Sequence, residues 1–233
     1  MKLMRRIVVV IVLLSVNPVW ALTFMGPPTS DLKQKEWRSG FDYSTGEFDI
    51  DVSRSGAVTF RDRDIDIEAF FGLVGAAPFD NTELFVRLGR AGLAGSGAEF
   101  AWGAGFKAKV FDSSLAPWGI LFQITHIEGD DSYVDSGSLV TADFDLYEMQ
   151  IAVGPSYQQG NVCIYGGPFL HFVNGDVDLG FAGQKSSYDI EDESVFGGYI
   201  GLSAEIAENV SLAFEGQFTS DASVFGVGAT VKF

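Results

Sequence analysis

Apolar side chains recur at every second position in Phe225, Val227, Ala229, Val231 and Phe233, with Gly226, Gly228, Thr230 and Lys232 between them. A period of two is the strand period, because successive side chains of a strand point to opposite faces. The preceding segment repeats it, with Val210, Leu212, Phe214 and Phe218 set against Ser211, Ala213, Glu215 and Gln217. Phe196, Ile200, Leu202, Ala204 and Ile206 alternate in the same way with Gly197, Tyr199, Gly201, Ser203 and Glu205. Seven more alternating stretches lie upstream, around Trp37–Tyr43, Ile65–Leu73, Leu84–Leu88, Phe100–Val110, Trp118–Ile124, Tyr147–Val153 and Val162–Phe172. In the second of these, Ile65, Ile67, Ala69, Phe71 and Leu73 read as the apolar face, and Asp66, Glu68 and Gly72 as the other. The total is ten strands, most of them close to the roughly 9–11 residues that a tilted strand needs to cross a bilayer.

The connections have a pattern of their own. Pro78–Thr82, Asp112–Pro117, Pro155–Gly160 and Ala207–Asn209 are short turns. Ser44–Asp64, Arg90–Gly97, Glu128–Ala142 and Val173–Ser194 read as long loops; Ser220–Ala222 alone on that side is short. Short turns at one end and long loops at the other are the layout of a transmembrane barrel, and an even strand count puts both termini at the short-turn end. Within the first long loop, Ile50 and Val52 alternate, as do Val58 and Phe60, so strands one and two extend beyond the membrane as a hairpin.

A soluble antiparallel sheet also alternates, so the two faces must decide. One face is aliphatic and aromatic, whereas the other carries glycine and isolated charges: Arg38, Glu68, Arg87, Lys107, Lys109, Glu148, Glu205, Glu215 and Lys232. Such charges make a poor soluble core but suit the polar interior of a lipid-facing barrel. Aromatic residues near strand ends (Trp37, Tyr43, Trp102, Trp118, Tyr147, Phe218 and Phe233) fit an interfacial girdle. The expected fold is all-β, a closed antiparallel up-and-down transmembrane β-barrel of about ten strands, with eight as the alternative. Charges confined in a narrow barrel are costly alone, so the inward acids and bases are expected to pair and plug the lumen.

Residues 1–21 read as an address. Lys2, Arg5 and Arg6 precede the apolar run Ile7–Val16, Asn17 and Pro18 break it, and Val19-Trp20-Ala21 offers a cleavage site after Ala21. The run is about half the twenty residues a spanning helix needs. Residues 22–233 then form one barrel domain exported across the inner membrane to the cell outer membrane. The net charge of −16 becomes more negative once the three basic leader residues are gone, which excludes nucleic acid as a partner. A single cysteine, Cys163, excludes a disulfide scaffold.

With the leader, the alternating strands and the terminal Val231-Lys232-Phe233, the chain resembles small outer-membrane β-barrels of Gram-negative-type bacteria, the OmpA-like and opacity group. That resemblance implies outer-membrane lipid and lipopolysaccharide as surroundings, a monomer, and reading of Phe225, Val227, Ala229, Val231 and Phe233 by the barrel-assembly machinery. It implies a structural or surface-interaction role, with a porin-like small-solute channel or a rim enzyme as alternatives. The paired aspartates and Asp-His of the ten-stranded omptin proteases have no recognisable counterpart, so no enzyme is expected.

Other chemistry is sparse. His126 and His171 are the two histidines, too few and too far apart in sequence for a metal site, and no cofactor is expected. Asn174, Asp176 and Asp178 place oxygen ligands at every second residue, a divalent-cation loop without the closing glutamate of an EF-hand.

Overall fold

The computed structural model describes residues 23–53, 59–93, 99–113, 115–135, 138–181, 184–191, 195–220 and 222–233. Eleven strands follow in order: β1 (Trp37–Ser53), β2 (Thr59–Phe79), β3 (Thr82–Leu93), β4 (Glu99–Phe111), β5 (Trp118–Asp135), β6 (Ser138–Gln159), β7 (Val162–Phe181), β8 (Gln184–Glu191), β9 (Val195–Ala207), β10 (Val210–Phe218) and β11 (Ala222–Lys232). Each pairs antiparallel with its neighbours, and the sheet closes where β1 meets β11, from Arg38 opposite Lys232 to Phe48 opposite Ala222. β7 pairs with β9 over Val162–His171 and with β8 over Asn174–Phe181. β8 and β9 therefore share one place in the wall, and the eleven strands fill ten positions. Closure pairs both sides of the wall strands, while β8, among the described residues, pairs with β7 alone.

The short-turn end is built from tight connections. Asn81, Gly160 and Asn209 adopt left-handed backbone angles there, with φ of 59°, 60° and 64°. Asparagine and glycine are the residues that enter this region most readily, and they allow a two-residue reversal. The mutual bonds of Trp37 and Phe233, N to O at 2.8 and 3.0 Å, finish the seam at the same end.

The alternation partitions the wall as its chemistry demands. Trp37, Phe41, Val86, Leu88, Ile164, Ile200, Phe214 and Phe225 lie outward and exposed. Inward lie Asp42, Arg87, Lys107, Gln123, Glu148, Gln150, Glu215 and Gln217, all buried. A continuous exposed apolar belt of this size is a surface for lipid rather than water.

Two sequence expectations need correction. On β2, Ala69 and Phe71 are buried inside the barrel, while Phe70 and Val74 are exposed outside, so Glu68 lies on the outer surface and not in the lumen. Phe70-Phe71 and Leu73-Val74 are apolar on both faces, so alternation alone leaves the side open. Pairing settles it, because Phe71 opposes Gly89 and lies under Arg87, whose guanidinium carbon sits 4.3 Å from the ring centroid. The stretches Glu128–Ala142 and Val173–Ser194 are also largely strand rather than loop. β5 and β6 stay in register out to Asp135 opposite Ser138, and β7 and β8 out to Phe181 opposite Gln184. The first hairpin does extend as its alternation indicates, with Val52 opposite Phe60.

Candidate functional site: the lumen and its strap

The lumen holds more than wall side chains. Residues 23–32, ahead of β1, run inside the barrel, and Thr23, Met25, Ser30 and Leu32 are buried there. This strap has no strand partner, so its backbone groups must bond to the wall. The Thr23 N–H donates to Glu148 at 3.3 Å, and the Met25 and Gly26 N–H groups donate to the two oxygens of Glu215, each at 3.0 Å. Lys107 donates its Nζ to the Met25 carbonyl at 2.7 Å, and Gln217 donates its Nε2 to the Thr23 carbonyl at 2.9 Å. The Thr23 hydroxyl meets Glu148, Gln123 and Arg87. Five strands of the wall, β3, β4, β5, β6 and β10, thus hold the stretch Thr23–Gly26 from different sides.

Apolar contacts fix the same stretch. Met25 is the centre of a buried cluster with Leu121, Ala152, Tyr165, Phe169, Tyr199 and Val224. Phe24 lies so close to β11 that a Cβ on Gly226 would come within 2.6 Å of its ring, and one on Gly228 within 2.9 Å. A Cβ on Gly119 would meet the Pro28 carbonyl oxygen at 2.4 Å. The glycines of the inward face are therefore the room in which the strap lies.

Nearer the short-turn end the strap is clamped by charge. Arg38 reaches both Asp31 and Glu83, the latter at 3.0 Å, and Lys232 lies 3.3 Å from Asp31. Burial acts to raise the Asp31 pKa, but the Arg38 and Lys232 charges outweigh it and hold the carboxyl below its ordinary value. Asn81 N–H donates to the Leu32 carbonyl at 2.8 Å, and Gln34 N–H to Asp80 at 2.7 Å. The space left beside the strap is a cavity of about 410 Å³, bounded by Asp31, Arg38, Glu83, Lys109, Glu205 and Lys232 among others.

The charged residues singled out in the sequence therefore separate into groups. Arg87, Lys107, Glu148 and Glu215 lie deep in the lumen, and Arg87 pairs with Asp42 at 2.6 Å. Arg38, Lys109, Glu205 and Lys232 bound the cavity, which Arg87 and Lys107 also line, with Lys109 lying 3.4 Å from the exposed Asp112. Glu68 belongs to neither group. Sequence reading did not single out Asp42, Glu83 or the glutamines, although Asp42 falls on the polar face of its stretch. His171, named there only as an unlikely metal ligand, is fully buried with Nε2 3.1 Å from Glu148. The strap left no signal, because residues 23–32 carry no period. On β11, Phe225, Val231 and Phe233 are exposed on the outer face, with Val227 and Ala229 half-buried between them. Asn174, Asp176 and Asp178 lie in β7, paired with Tyr147, Asp145 and Asp143 of β6, and not in a loop.

No protein-family model matches the chain, and no curated protein does. Solved structures do. The outer membrane protease OmpT from Escherichia coli superposes with a TM-score of 0.51 at 8% identity, over 91% of this chain and 98% of that one. The translocator domain of the autotransporter NalP from Neisseria meningitidis gives 0.50 at 11% identity, over 87% and 90%. Ail, the attachment invasion locus protein of Yersinia pestis, gives 0.38 at 14% identity, over 86% and 99%. The first two likenesses establish the architecture: this chain has the fold of the outer-membrane β-barrels.

Proposed function

We propose that the protein is an outer-membrane β-barrel with a structural or surface-interaction role, its bore occupied by its own N-terminal strap. The observation that carries this reading is the bonding of Thr23, Met25 and Gly26 to the buried carboxylates of Glu148 and Glu215. Those acids and Lys107 are committed to the strap, which leaves them unavailable to a passing solute. The long β5–β6 and β7–β8 hairpins project beyond the girdle and supply the surface for interaction. A leader ending at Ala21 and the exposed apolar belt support placement in the outer membrane.

Planar-bilayer recording tests the reading. The intact refolded protein is expected to show no steady conductance, and a stable porin-sized current would overturn the proposal. The cavity of about 410 Å³ beside the strap favours a second reading, a narrow channel that opens when the strap moves. Deleting residues 23–31 separates the two. Under the first reading the shortened barrel conducts steadily while the intact one stays silent; under the second, the intact protein shows brief openings of the same size.

A further inference from the structure

The outer surface carries a cluster that the lumen does not use. His126 on β5 points outward, where every shorter-range neighbour on that face of the strand is apolar: Ile120, Phe122 and Ile124. It is 4% exposed, its ring held between Tyr147 and Trp102 at centroid distances of 4.3 and 5.5 Å. Both ring nitrogens face carboxylates. Nε2 lies 2.6 Å from Asp145 Oδ1, and Nδ1 lies 3.8 Å from Glu128 Oε1. Glu128 and Asp145 are directly opposite in the β5–β6 register, both on the outer face and both exposed.

That arrangement sets two exposed carboxylates against one buried imidazole. Like charges directly opposite on one sheet face are destabilising. The next rung outward on the same pair of strands sets Asp130 opposite Asp143, and β7 sets Asp176 opposite Asp145.

We propose that His126, Glu128 and Asp145 bind a divalent transition-metal ion of the zinc class at the outer face of the barrel, at the level of the aromatic girdle. One ligand atom from each residue lies within 4.8 Å of the others. Bonds of about 2.0–2.2 Å from a tetrahedral ion to nitrogen and oxygen bring its ligands to roughly 3.3 Å from one another. The imidazole is fixed by its two aromatic neighbours, while the exposed carboxylates have the rotamer freedom to close on an ion. The imidazole selects zinc-like ions over calcium, which takes oxygen ligands. Water completes the coordination.

The test is calorimetric titration of the full chain, refolded in detergent without a polyhistidine tag, with Zn2+ and separately with Ca2+. Co2+ absorption serves as a second readout of nitrogen and oxygen ligation. The expected result is one Zn2+ per chain, with affinity falling roughly 10–100-fold in His126→Phe and in Asp145→Asn. Phenylalanine keeps the ring between Trp102 and Tyr147, and heat-modifiable gel migration checks that each variant folds. Should His126→Phe not fold, Glu128→Gln and Asp145→Asn, at exposed positions, carry the same test. Zn2+ binding unchanged in these variants, absence of binding to the intact protein, or Ca2+ binding as tight as Zn2+ would each overturn the assignment.

Discussion

Gly226 and Gly228 look, in sequence, like the small residues of any tightly curved strand. Their role becomes visible only when Phe24 occupies the space where their Cβ atoms would be. Gly226→Val is therefore expected to expel Phe24 and loosen the strap, seen as faster proteolysis of the N-terminal segment while the barrel keeps its heat-modifiable migration. Glu215 acts by charge at the same place. Its carboxylate accepts from two strap N–H groups at 3.0 Å, and hydrogen bonds to a charged group contribute about 1.5–3 kcal/mol each. Glu215→Gln should cost about that much for one bond, measured by urea unfolding in lipid. Asp31 gives a pH dependence with a defined sign. Its pKa is held below the ordinary value, so its stabilisation is complete above the unfolded-state pKa of about 3.9 and is lost as pH falls through the lower folded value. Hydrogen exchange of the Leu32–Gln34 amides should accelerate across that acid window and not near neutrality.

At the scale of the element, alternation revealed strands wherever one face was greasy and the other polar. Phe100–Val110 and Phe225–Phe233 were legible for that reason. β2 was misassigned because both of its faces are apolar near Phe70–Val74, and only its neighbours' register decides which side meets the bore. The outer hairpins read as loops because Asp130, Asp131, Asp176 and Asp178 dilute the apolar period, yet the backbone ladder needs no apolar side chain to continue. The surroundings of His126 are illegible for the same kind of reason: Glu128 is near in sequence, but Asp145 is joined to it only by strand pairing. The β7–β8 hairpin is an addition to the wall and not a closing element, since β7 still meets β9 over Val162–His171. Removing residues 174–191 and rejoining the chain is expected to leave a folded, heat-modifiable barrel.

For the whole molecule, the assignment of faces makes a direct claim about tryptophan. Trp37 and Trp118 are exposed on the outer surface, and Trp102 is half-buried there. Brominated lipids should quench the fluorescence of the refolded protein strongly, whereas an aqueous quencher should act weakly. The opposite ranking would mean that the apolar belt is folded inward.

Thr23 is fully enclosed by the wall, bonded on three sides. Its neighbours in the bore are Glu148, Gln123 and Arg87. A folded reporter fused at Thr23 has no room there and would drag the strap out of register. Reporters and affinity handles for this protein therefore belong between β5 and β6 or between β7 and β8, beyond the pairs Asp135–Ser138 and Phe181–Gln184.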